Sequence, residues 1–110
     1  GRVGYGKAME MAITADPITA EEAAEHGLVA RLADPGSALQ EALSLAERIA
    51  RNAPLAVAAS KQLIRATQGS TEEELWALQR PLQERVFASD DAREGPRAFA
   101  EKRPPEWSGA

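Results

Sequence analysis

The 110-residue chain has no cysteine, a single histidine and only 5% aromatic residues. Without thiols it can form neither disulfides nor cysteine metal sites, and it lacks thiolate nucleophiles; this composition suits a reducing compartment, so a cytoplasmic location is expected. The lone His26 has no second imidazole with which to complete a metal site, so no metal ligand set is expected. No apolar run approaches the roughly 18 residues of a membrane span, and the start lacks a signal peptide's apolar region. Basic excess is missing too: 13 Lys and Arg against 17 Asp and Glu give a net charge of −4. Nucleic acid is therefore not an expected partner, and neither is a membrane.

What is present is an ordinary water-soluble composition, 44% hydrophobic and 27% charged. The length suits one unit over residues 1–110, folding with about 60% to about 70% of the unfolded chain's surface buried. Periodicity makes that unit mainly α. Tyr5, Ala8, Met9 and Ala12 share one face of a helix over 5–14, which Asp16-Pro17 ends. Thr19 and Glu22 have the spacing of a capping box for a short helix to His26, with Gly27 as its stop. Residues 28–32 are too short for a helix and read as one short extended segment before the Asp34-Pro35-Gly36 turn.

Ser37 can cap the next helix, whose apolar stripe is Leu39, Ala42, Leu43, Ala46, Ile49 and Ala50. Asn52 is expected to cap the helix through PLAVAASKQLIRATQ, whose first half is apolar nearly all round and so predicts burial on several sides. Gly69 stops it. Ser70 or Thr71 caps a further helix carrying Leu75, Leu78, Leu82 and Val86 on its apolar face, with Pro81 predicting a kink or a boundary. A last helix runs from Asp90, capped by Ser89, to about Lys102, with Gly95-Pro96 as an irregularity. Pro104-Pro105 forbids continuation, and Trp107 reads as an anchor for the extended tail.

Motifs that carry chemistry are few. Gly1 to Lys7 fits the G-x-x-x-x-G-K spacing of a phosphate loop, yet Ala8 stands where a magnesium-binding loop needs a hydroxyl; the plainer reading is a glycine-rich entry into a helix. Ser60 and Lys61 are neighbours on a helix and point about 100° apart, which defeats Ser-Lys chemistry. Glu21, Glu22, Glu25 and Glu72 to Glu74 fall in first turns or on polar faces, so no catalytic carboxylate is assigned. One pairing stands out. Phe99 and Lys102, three apart near the end of the last helix, could stack a purine and hold a phosphate; the structural alternative puts Phe99 in the core, with Lys102 and Arg103 complementing the helix C-terminus.

GYGKAMEMAITADPITAEEAAEHGLVARL, LAERIARNAPLAVAASKQLIR and FASDDAREGPRAFAEKRPPEW resemble stretches of the enoyl-CoA hydratase/isomerase (crotonase) family. The first matches its helix, turn and P-I-[ST]-A-x-E-A-x-x-x-G-L-V segment. The second is similar to the next helical pair, and the third to the C-terminal signature. The resemblance implies the C-terminal helical portion of a crotonase-like (ClpP/crotonase) α/β fold. The family holds an acyl-CoA thioester carbonyl in an oxyanion hole of backbone N–H groups while carboxylates move protons or activate water. Those groups lie upstream of the position matching Gly1, so no catalytic residue is assigned here and no hydratase activity is expected from these residues alone.

By the same resemblance, Gly4 and Gly6 serve helix entry, and Lys7 is a surface residue. Phe99 and Lys102 would help bind coenzyme A, the substrate carrier, and no cofactor is required. The C-terminal helices would roof the acyl pocket and pack copies of the chain into a trimer or trimer of dimers. The parent activity would be a lyase adding water to a 2-enoyl-CoA in fatty-acid metabolism, or a related isomerase or hydrolase. The alternative is a stand-alone helical interaction module without catalysis. Exposed apolar faces discriminate between them, because helices built to cover an α/β core leave such faces bare.

Overall fold

A computed structural model of the protein describes residues 3–110. Among them are six helices and no strand. The chain divides into two compact units, Gly1–Ser44 and Leu45–Ala110.

In the first unit, α1 (Tyr5–Thr14) follows Gly4 and stops at Ala15, whose left-handed backbone (φ 56°) turns its N–H onto the Met11 carbonyl. α2 (Ala20–Glu25) opens on the expected capping box: the Glu22 N–H donates to Thr19 Oγ1 at 3.1 Å, and the Thr19 N–H donates to the Glu22 carboxylate at 2.9 Å. That backbone donor holds the Glu22 carboxyl below the usual carboxylate range. His26 and Gly27 (φ 73°) then end the helix. The N–H groups of Leu28 and Val29 both turn back onto the Ala23 carbonyl, at 2.8 and 3.3 Å. The start of the 28–32 segment is thus consumed as a helix stop and forms no strand. α3 (Ala38–Ala50) carries the chain into the second unit.

The second unit adds α4 (Pro54–Ala66), α5 (Glu72–Ala88) and α6 (Asp90–Glu101), with α5 packed on both α4 and α6. Two sequence expectations are corrected here. Asn52 does not cap α4: its amide donates to the carbonyls of Arg48 and Ile49, at 3.0 and 3.2 Å, closing the end of α3, while Ala53 is the N-cap and Pro54 the first helical residue. Nor does Pro81 make a boundary, because α5 runs through it. Packing against two neighbours offsets the one donor that proline removes. Thr71 and Glu74 form the second capping box.

The apolar stripes have the expected periodicity and little cover. Ala98 is the only buried apolar residue among those described, and Leu39 (72%), Ile13 (74%), Ile64 (69%) and Phe87 (72%) stay largely exposed. The first half of α4 is half-buried at best. The chain exposes 8836 Å². Two separate compact bodies of these lengths would expose only about 7,100 Å². Roughly half of the unfolded chain's surface is buried, short of the share expected from length.

Candidate functional site

The site the sequence points to lies in the second unit, at the end of α6 and in the tail that follows. Ser89 caps the start of this helix: its hydroxyl oxygen accepts the Ala92 N–H at 3.2 Å, and its own proton goes to the Val86 carbonyl at 2.7 Å. Helix α6 then continues through Gly95-Pro96. It stops at Lys102, which adopts the left-handed conformation at φ 54°. For a residue with a Cβ this costs about 1 kcal/mol. The Lys102 N–H donates to the carbonyls of Ala98 and Phe99, and the Arg103 N–H to that of Ala98, closing the helix end.

After this stop the chain reverses and runs back along the helix that it has just left. Arg103 makes the reversal rigid. Its two terminal nitrogens grip the Glu94 carboxylate at 2.5 and 2.9 Å, its Nε donates to Glu101 at 2.6 Å, and one terminal nitrogen also reaches the Pro104 carbonyl at 3.1 Å. Glu94 accepts a third bond, from the Glu106 N–H at 2.8 Å. The guanidinium and that backbone donor hold its carboxyl down at about 2.

Further along the tail, the Trp107 indole N–H donates to the Arg51 carbonyl at 2.8 Å, and its ring lies over Gly95. Trp107 is thus the anchor its sequence context implied. Asp91, only 3% exposed, receives the Ser108 N–H at 2.7 Å, the Ser108 hydroxyl at 3.1 Å and the Gly109 N–H at 3.1 Å. The Asp90 N–H donates to the Ala110 carbonyl at 2.7 Å. The last seven residues are therefore clasped to α6 along its length.

Phe99 stands outside this clasp, 87% exposed. The core alternative for it is thereby excluded within the chain. Lys102 is exposed at the reversal itself, and no ion pair engages its ammonium among the described residues. Arg103 complements carboxylates rather than the last helix carbonyls. Phe99 and Lys102 are thus both bare to solvent at the end of α6.

Across these 110 positions the profile of the enoyl-CoA hydratase/isomerase family matches from residue 1 to residue 110. The chain belongs to this family. It is 44% identical over 106 residues to the enoyl-CoA hydratase EchA19 of Mycobacterium tuberculosis, covering 96% of this chain and 40% of that protein. The carnitinyl-CoA dehydratase of Salmonella arizonae is 44% identical over 104 residues, 91% of this chain and 40% of the relative. Among solved structures, the enoyl-CoA hydratase EchA1 of Mycobacterium marinum superposes with a TM-score of 0.93 at 48% identity, covering 99% of this chain and 43% of that one. The chain spans about two fifths of the length of these relatives, which fits the C-terminal portion of a crotonase fold.

Other sequence candidates stay apart from this corner. His26 caps α2, exposed to solvent. Lys7 lies in the first turn of α1, half-buried and paired with Glu10 at 3.0 Å, which raises its pKa. Gly1, at the other end of that motif, lies outside the described residues. Ser60 and Lys61 are both exposed on α4. Among the described residues, no group of three His, Asp or Glu side chains is placed to hold a metal ion and no helix is long and apolar enough to cross a membrane.

Sequence reasoning missed Asp91 and Glu94 as tail receptors. Their partners are 9 to 18 positions away, outside any helical spacing. The available signal was the Pro104-Pro105 stop after Lys102-Arg103, which forces the chain off the helix axis beside its own acidic face.

Proposed function

We propose that residues 1–110 form the C-terminal part of an enzyme acting on acyl-CoA thioesters, a hydratase of 2-enoyl-CoA in fatty-acid metabolism. In this reading the helices roof the acyl pocket and join copies of the chain, and the corner of Phe99 and Lys102 contacts the coenzyme A carrier. No residue of the chain is assigned a catalytic role. The observation that carries the reading is the family match over every residue, joined to helix faces whose large apolar residues remain exposed. Bare stripes on several helices are what a cover for another layer of protein requires, whereas a stand-alone module would bury them. A cytoplasmic setting accords with the absence of cysteine.

The test is a chimera. The first three fifths of the EchA19 relative, followed by residues 1–110, should fold and hydrate a 2-enoyl-CoA, read as the loss of the enoyl thioester absorbance. A folded chimera without turnover and without affinity for coenzyme A would overturn the reading. Within the active enzyme, Lys102→Ala should raise KM for the acyl-CoA roughly tenfold, the worth of one charge-assisted phosphate contact, with little change in kcat. Unchanged KM would remove Lys102 from the binding site.

A further inference from the structure

The corner that presents Lys102 is more heavily tied than a helix end needs. Ala15 takes the same left-handed conformation after α1 with a backbone bond alone, whereas the end of α6 is tied by side chains as well. Glycine at this place would remove the backbone cost, as it does at Gly27 (φ 73°) and Gly69 (φ 98°), which follow α2 and α4. Here a lysine takes the strained position, and the next residue is locked from both sides. Arg103 meets Glu94 in a two-pronged pair and Glu101 through its Nε, and the other Glu101 oxygen is held by Arg97 at 3.0 Å. Glu94 in turn fixes the descending tail through the Glu106 N–H. Glu94 and Arg103 are the less exposed members of this network, at 16% and 32%. Arg97 and Glu101 stay exposed, whereas Glu94 and Arg103 are spent on each other and on the tail.

We infer that Glu94 and Arg103 are positioning residues, a fork that sets the Lys102 backbone and so aims its ammonium at the phosphates of coenzyme A. This rests on the coenzyme A reading of Lys102 given above. The fork has the geometry such a task needs, because a guanidinium engaged by two carboxylates cannot swing, and lysine in place of Arg103 could not bind both oxygens of Glu94 at once. Without the fork, the residue after Lys102 is free to relax. The ammonium then samples many directions, and the contact loses affinity through disorder rather than through lost charge.

The experiment uses the active full-length enzyme and two substrates with the same acyl group, one carried on coenzyme A and one on pantetheine, which has no nucleotide phosphates. Glu94→Gln preserves shape and removes the charge. It should raise KM for the acyl-CoA about fivefold, leave kcat within about twofold and leave KM for the acyl-pantetheine unchanged, since only the phosphate contact weakens. Arg103→Lys should follow the same pattern at a smaller size, and it carries the test if Glu94→Gln does not fold as judged by circular dichroism. Equal losses on both substrates, or a fall in kcat matching the rise in KM, would show a fork that merely holds the fold and would overturn the inference. The two readings separate cleanly: if Lys102→Ala raises KM for the acyl-CoA and neither fork variant does, the fork is idle and the coenzyme A site stands. If Lys102→Ala changes nothing, both fall.

Discussion

Helices α3 and α6 are of nearly equal length and both amphipathic, yet they are held by different means. In α3 the stripe of Leu39, Leu43 and Ile49 remains 72%, 50% and 47% exposed. In α6 the residues pressed below the surface are Asp91 and Ala98, and the helix is fastened by hydrogen bonds to its own tail. Apolar periodicity says which side of a helix wants cover but not what will cover it. Polar anchors are different, because a buried carboxylate must find its donors, and here they lie within 18 residues along the same chain. One helix leaves its stripe bare while the other is held by its own tail.

The most damaging way to break the comparison is Asp91→Ala. It leaves the N–H groups of Ser108 and Gly109 without their acceptor in a half-buried setting, and a loss of about 3 kcal/mol is expected. The check is the urea midpoint, with amide exchange at Ser108 and Gly109 reporting whether the tail has come away. Retained protection at those amides would mean that Trp107 holds the tail alone.

On the α3 side the opposite behaviour is expected. The paired change Leu39→Glu and Leu43→Glu should leave helix content intact, because both side chains are already exposed. The unmodified chain should self-associate through such stripes, and losing two leucines, about 1.5–3 kcal/mol each when fully buried, should weaken that association at least tenfold. Sedimentation velocity across a concentration series reads the effect. A strictly monomeric parent chain would favour the independent module over the enzyme part.

The contrast also explains what could be read in advance. Helix limits were legible where local chemistry decides them: Thr19 with Glu22, Thr71 with Glu74, Ser89 and Gly27 all act within four residues of the backbone that they serve. Asn52 misled because an amide can close the preceding helix as well as open the next, and the choice is made by chain direction after Ala50. Of the kink or boundary expected at Pro81, the boundary does not form, because packing of α5 on two neighbours outweighs one missing donor. The three-residue spacing of Phe99 and Lys102 was visible. The fork beneath them was not, since the contact between Glu94 and Arg103 exists only after the chain has turned back on itself.

Acid probes the α6 clasp more gently. The Glu94 carboxyl is held at about 2, below the 4.5 of a free glutamate. A depressed carboxyl stabilises the fold fully above its unfolded value, and that contribution is lost as pH falls toward the folded one. The clasp should therefore loosen between pH 4.5 and about 2. Glu22, Glu74 and Glu101, also held low, add loss of the same sign. Fluorescence of Trp107 in a Trp76→Phe background follows the release. Glu94→Gln should flatten the part of the transition that Trp107 reports, and an unaltered curve would assign the acid sensitivity to the two capping boxes instead.

The smallest effect expected is a gain. Gly95 lies inside α6 under the Trp107 ring, and a Cβ built there would meet Cη2 at 3.4 Å and Cζ3 at 3.7 Å, an ordinary contact. Alanine should thus fit without moving the ring, and it recovers up to about 1 kcal/mol of helix propensity that glycine forfeits. Valine adds branches directed at the ring face and should lose what alanine gains. Urea midpoints of the two variants decide the matter. If alanine destabilises as valine does, the ring sits closer to the helix backbone than van der Waals contact allows, and Gly95 is there to admit the anchor; if alanine stabilises, the tail is held by the hydrogen bonds of Asp91, Glu94 and Trp107, and the glycine only permits them.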